Sequence, residues 1–222
     1  MTPSPVSLRT LPCFLRRGSI LIYFGLCLAA SEARGQVPYV AWTSTYNNPA
    51  NGNDSGNGIA VDAFGNVYVA GYEYRSDLSQ GDNIWVRKYD ANGLVQWTTT
   101  YNSPANNSDR GNGIAVDATG NINVVGYENR SDLGQGENIW VRKYDANALV
   151  QWTTTYNSPA NNEDRGNGIA VDASGNIYVS GYENLLGGGW DNIWVRKYDA
   201  NGLVQWTTTY NSPANYFDLG SG

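Results

Sequence analysis

Aspartates recur in register along the chain. Asp54, Asp109, Asp164 and Asp218 form one series, and Asp62, Asp117 and Asp172 form another. Carboxylates at fixed spacing could serve as an acid–base pair or as oxygen ligands for a hard cation. Asn51, Asn53, Ser55 and Gly56, followed by Asp62, resemble a calcium loop in their spacing. The next copy of that segment puts Arg110 where Ser55 stands, and a guanidinium opposes a cation site. Asx-turn and hairpin chemistry is the reading that remains, so neither a catalytic residue nor a metal ligand is expected. Histidine is absent from all 222 residues. That removes Ser-His-Asp and Cys-His activation of a nucleophile and every His-ligated metal site. No cofactor is expected.

The tryptophans could form a stacking platform for sugars. Trp85, Trp140 and Trp194, and likewise Trp97, Trp152 and Trp206, stand at equivalent positions inside strand-like runs. Large aromatics repeated at one register predict packing between units instead. Arg87-Lys88 and its copies, Arg142-Lys143 and Arg196-Lys197, are expected as solvated charges near a strand end.

These positions are set by an internal repeat. Trp97 to Asn129 reappears as Trp152 to Asn184 with four changes in 33 positions, and a more diverged copy begins at Trp42. Trp42, Trp97, Trp152 and Trp206 are 55, 55 and 54 residues apart. A period of this length is one supersecondary unit copied along the chain. In the middle copy, Ile114 to Asp117, Ile122 to Tyr127, Asn138 to Tyr144 and Leu149 to Tyr156 are short runs rich in Val, Ile, Trp, Tyr and Thr. Gly, Asn and Asp bound them, which is the pattern of four strands. Gly65, Gly120 and Gly175 each precede an asparagine in the first hairpin, where a positive φ is needed. Gly71, Gly126 and Gly181 lie within the second strand, where glycine marks a bulge or a close backbone approach.

The expected fold is therefore all-β. It comprises three four-stranded antiparallel blades, at about 57–101, 112–156 and 167–210, within a β-propeller-type repeat domain over 39–222. Tyr39 to Tyr46 is expected as an orphan outer strand, and 211–222 as the start of a further repeat. Three blades do not close a ring, so the expectation is an open arc that forms part of a larger closed propeller. The blade faces at its two ends would favour self-association.

The phrase Asp172-Ala-Ser-Gly-Asn-Ile-Tyr-Val-Ser-Gly-Tyr182, followed by Asp191-Asn-Ile-Trp-Val-Arg-Lys-Tyr-Asp-Ala-Asn-Gly202, resembles the bacterial beta-propeller repeat family labelled SBBP. The resemblance covers essentially everything after residue 38. It implies a propeller of exported or cell-surface bacterial proteins and supplies no catalytic residues. Two departures stand out: Asn123 replaces the tyrosine found as Tyr68 and Tyr178, and Ala148 replaces Gly93 and Gly202. Asp90 to Trp97 also resembles a phrase of quinoprotein blades, without a cofactor pocket.

The first 33 residues differ in kind. Arg9, Arg16 and Arg17 precede an apolar run from Ile20 to Ala30, and Ser31-Glu32-Ala33 offers a small-residue cleavage site. That order reads as a signal peptide, and the apolar run is too short to span a bilayer. A secreted, periplasmic or cell-surface destination is expected. Both cysteines, Cys13 and Cys27, fall in this segment, which leaves no disulfide for the rest. Losing it would take the net charge from −6 to −8. Such acidity argues against nucleic acid and anionic membrane as partners.

The copies diverge most between the second and third strands. Arg75-Ser-Asp77, Arg130-Ser-Asp132 and the shorter run ending at Trp190 are the candidate binding residues, as rim loops on a rigid scaffold. The expected function is a non-catalytic exported scaffold that binds a protein or glycan or acts as a spacer. The alternative is a fragment of a propeller enzyme, either a carboxylate-dependent hydrolase or lyase or a quinoprotein-like one.

Overall fold

The computed structural model describes residues 41–186, 190–212, 218 and 220. The expected signal peptide and Tyr39 lie outside them, as do most of 211–222 and the side chain of Trp190.

Twelve strands occur among the described residues, in three antiparallel sheets of four. The first holds β1 (Asp54–Val61), β2 (Val67–Tyr74), β3 (Asp82–Tyr89) and β4 (Val95–Tyr101). The second holds β5 (Arg110–Val116), β6 (Ile122–Asn129), β7 (Glu137–Tyr144) and β8 (Val150–Tyr156). The third holds β9 (Arg165–Val171), β10 (Ile177–Leu186), β11 (Trp190–Tyr198) and β12 (Val204–Tyr210). Each is a meander in chain order, the arrangement of a propeller blade. Among the described residues no helix is long and apolar enough to cross a membrane.

Because β-strand side chains alternate, each blade has two apolar faces. Ala70, Ile84 and Val86 on the trailing face of the first blade pack on Ile122, Val124, Trp140 and Tyr144 of the second. Val125, Ile139 and Val141 of the second pack in the same way on Ile177, Val179, Trp194 and Tyr198 of the third. The inner strands β1, β5 and β9 lie side by side and are joined by a run of asparagines. Asn57 Nδ2 donates to the Gly111 carbonyl at 2.9 Å, Asn112 Nδ2 to Gly166 at 2.9 Å, and Asn167 Nδ2 to Gly220 at 2.7 Å.

Two expectations about element bounds need correction. The inner strand of the middle blade begins at Arg110, earlier than the expected Ile114, and its counterparts begin at Asp54 and Arg165, so all three take in their glycine-rich approaches. A register shift between Gly111 and Gly113 lets β5 pass the crowded axis while still pairing with β6. Of the orphan strand expected over Tyr39 to Tyr46, the described residues 41–46 form no strand. A strand is defined by its hydrogen-bonded neighbour, and no described strand pairs with this one. Its side chains nevertheless pack as β4 and β8 do. Tyr46 stacks on Trp85 at 5.1 Å, as Tyr101 stacks on Trp140 at 5.2 Å. The face it covers stays partly open, with Ile59 70% exposed against 7% for its equivalent Ile114.

Candidate functional site

The residue types that could do chemistry gather at the seams between blades. The seam between the first two shows the pattern. Trp140 of β7 is fully buried, and Tyr101, from the outer strand of the preceding blade, lies against its ring. The Arg142 guanidinium sits 4.4 Å from the Tyr101 ring and 4.8 Å from Trp140, and its Nε donates to Thr153 Oγ1 at 2.7 Å. The Tyr101 hydroxyl donates to the buried carboxylate of Glu128, which also faces Arg130 at 3.6 Å. The same set recurs as Trp85, Arg87, Tyr46 and Glu73, and as Trp194, Arg196, Tyr156 and Glu183. Burial, with the neighbouring carboxylate, pushes the Tyr46 hydroxyl up to about 12 and raises those of Tyr101 and Tyr156 as well. These phenols stay protonated and donate.

The arginines are therefore not the solvated charges expected from sequence. Each is half-buried on two aromatic rings, a cation–π arrangement that dehydrates the weakly hydrated guanidinium at little cost. Their place near a strand end suggested contact with water, but each lies two residues from a buried tryptophan, on the face that the neighbouring tyrosine covers.

The two aspartate series act on the backbone. Asp109 is fully buried and accepts from the backbone N–H of Ser103 and, at 2.8 Å, of Asn129, tying the inter-blade connection to the end of β6. Asp164 does the same with Ser158 and Asn184. Desolvation lifts Asp109 to about 7 and Asp164 to about 6, despite those donors. In the other series Asp62 accepts from the N–H groups of Phe64 and Asn66, closing the first hairpin around Gly65. Asp117 and Asp172 repeat this around Gly120 and Gly175, where φ is +84° and +80°. Burial opposes ionisation of Asp117, but donors from Thr119, Asn121 and Lys143 outweigh it and hold the carboxyl at about 2. Among the described residues no cluster of acidic residues could hold a metal ion.

The rim-loop candidates form a short 3-10 turn in each of the first two blades, over Ser76–Leu78 and Ser131–Leu133. Arg75 Nε reaches Asp77 at 2.9 Å and Arg130 Nε reaches Asp132 at 2.9 Å, so each pair is bound within its own loop. Trp190 opens β11 opposite Leu186. The remaining structural tryptophans behave by position. Trp97 Nε1 donates to the Ala146 carbonyl at 3.1 Å and Trp152 Nε1 to Ala200 at 3.2 Å, both across a seam. Trp206 is 43% exposed, because no described blade follows it.

The departure at Asn123 has a structural consequence. Asn123 is fully buried, and neither amide atom has a partner. In the sibling blades a tyrosine fills this place: Tyr68 Oη reaches Asp62 at 3.0 Å and Tyr178 Oη reaches Asp172 at 3.1 Å.

The Beta-propeller repeat family, SBBP, matches this chain over residues 44–72 and 151–182. No curated protein matches. Among solved structures the chain is similar to one described as "Crystal structure of the eukaryotic initiation factor". The identity is 11% and the TM-score 0.46, over 80% of this chain and 37% of that one.

Proposed function

We propose that this chain is a non-catalytic β-propeller scaffold that acts outside the cytoplasm and binds a protein or glycan at its surface. The observation that carries the reading is the use of its reactive side chains. Glu73, Glu128 and Glu183, the stacked arginines and the buried aspartates are each bound to a neighbouring blade or to a backbone turn. Equivalent residues at two seams between blades, and again where residues 41–48 meet the first blade, suit a framework better than a single asymmetric active site. The signal-like residues 1–33 support export, and the net charge of −6 fits a partner other than nucleic acid.

The enzymatic alternative has one observation in its favour. Asp109, raised to about 7, has the ionisation of a general acid. Its oxygens are held by backbone N–H groups inside the fold, so it would need to leave them to meet a substrate.

The test is a glycan array and an extracellular-protein binding screen on the full-length protein, with a hydrolase and lyase substrate panel in parallel. Saturable binding without turnover is expected. Turnover abolished by Asp109→Asn in a folded protein would overturn the scaffold reading.

A further inference from the structure

The seam between the second and third blades differs chemically from the one before it, and Asn123 is the cause. Tyr68 in the first blade lies 6.2 Å from Trp97 and 5.2 Å from Lys88 Nζ, so its ring fills the space between them. Asn123 stands opposite Lys143 in the strand register, on the same face, and an amide is too short to fill that space. Lys143 turns inward instead. Its Nζ lies 3.2 Å from Asp117 Oδ2 and donates to the Ala200 carbonyl of the third blade at 3.4 Å. Lys143 is buried, whereas Lys88 and Lys197 are half-exposed over their tyrosine rings.

Above this point a cavity of about 410 Å³ opens at the seam, lined by Asn121, Lys143, Gln151, Trp152, Ala200 and Asn201. One side of the Trp152 indole is taken by the turn at Gly202, where an added Cβ would come within 2.8 Å of the ring. No tyrosine of its own blade meets Trp152 as Tyr68 meets Trp97, and the ring beside it is Tyr198 of the third blade at 6.3 Å. The cleft thus combines the open part of the Trp152 indole, the exposed Asn201 amide, which can donate and accept, and a lysine neutralised by Asp117. It also holds the amides of Asn121 and Gln151, whose nitrogens already donate to Asp117, Thr119 and Leu149. Asn123, whose buried amide has no partner, stands outside this lining and bears on it through Lys143, its neighbour in the strand register. A ligand suited to this lining carries no net charge, has an apolar C–H face to lie on the indole, and has hydroxyls that donate and accept.

We propose that this seam is a binding site for a neutral pyranose unit of a glycan, specific to the second blade and created by Asn123. It rests on the scaffold reading and gives that reading a ligand class and a place.

The test follows the Trp152 indole N–H resonance of the full chain during titration with the methyl glycosides of glucose, galactose and mannose, and with N-acetylglucosamine. Glucuronate is the charged comparison. Asn123→Tyr installs the side chain its siblings carry, and Asn201→Ala with Gln151→Ala removes two exposed amides without touching the core. A saturable shift with at least one neutral sugar is expected, weakened tenfold or more in Asn123→Tyr and in the double variant. If Asn123→Tyr fails to fold, the double variant alone decides. No saturable shift with any neutral sugar, a response to glucuronate only, or unchanged affinity in the folded variants would overturn the site. Asn123→Tyr that keeps its full glycan-array signal would overturn the site and leave the scaffold reading standing. A protein that binds nothing in either screen would remove both.

Discussion

Tyr101, near the end of one blade's outer strand, donates its hydroxyl to Glu128, a fully buried carboxylate in the second strand of the next blade. The link joins residues 27 apart in sequence and recurs at the same interval as Tyr46–Glu73 and Tyr156–Glu183. A buried carboxylate without such a donor, or its arginine, would carry a large desolvation cost. The second and third blades are thus each completed by the one before, and the first by Tyr46.

Trp140 anchors that seam, fully buried beneath Tyr101 and Arg142. Trp140→Ala is expected to lower stability by ~3–5 kcal/mol, the usual result of emptying a large aromatic site. Asp132→Ala breaks only a solvent-facing pair with Arg130 and should leave the midpoint close to the parent's. Urea denaturation of the two variants checks this; equal midpoints would mean Trp140 does not hold the blades.

Gly126 faces the bulge of β5. A Cβ there would lie 1.9 Å from the Arg110 carbonyl oxygen, a backbone atom with nowhere to go. Gly126→Ala should therefore cost ~3 kcal/mol or more, by forcing the inner strand off its partner. Retained amide-exchange protection along Arg110–Val116 in that variant would contradict the geometry.

Ala148 occupies the turn position that Gly93 and Gly202 hold in the other blades, and its φ is +67°. An L-residue with a Cβ is strained in this region, so Ala148→Gly is expected to raise stability by ~0.5–1 kcal/mol. The thermal midpoint of the variant should rise.

Stability should also vary with pH through Asp109 and Asp164. Their folded values, about 7 and about 6, lie above the ~4 of an unfolded aspartate. Between ~4 and ~7 the unfolded chain has released these protons while the folded chain keeps them. Their contribution is therefore complete below ~4 and is lost as the pH rises. Asp117 and Asp172, held at about 2, act oppositely and favour folding less as pH falls from ~4 to 2. Urea midpoints measured from pH 4 to 7 should decline less steeply in Asp109→Asn than in the parent. An equal slope in both would contradict the assignment.

The repeat made the blades legible. Fixed tryptophan spacing, alternating β-rich runs and the turn glycines all depend on local sequence, and the structure has four strands per unit with Gly65, Gly120 and Gly175 at positive φ. The less legible features depend on neighbours. Arg87 and Arg142 read as surface charges because nothing in their own strands reveals the tyrosine that arrives from the preceding blade. Residues 41–48 carry strand-like residues but lack a paired strand. Asn123 looked like ordinary variation until the buried, unpartnered amide and the inward Lys143 gave it a consequence.

The central claim, that apparently reactive side chains join the blades, is tested most directly by a double-mutant cycle between Tyr101→Phe and Glu128→Leu. Denaturant unfolding of the parent, both single variants and the pair gives the coupling. The account predicts ~1–2 kcal/mol, as for a buried hydrogen bond to a charged group. A coupling within ~0.3 kcal/mol of zero would show that Tyr101 and Glu128 do not hold the seam and would contradict the account.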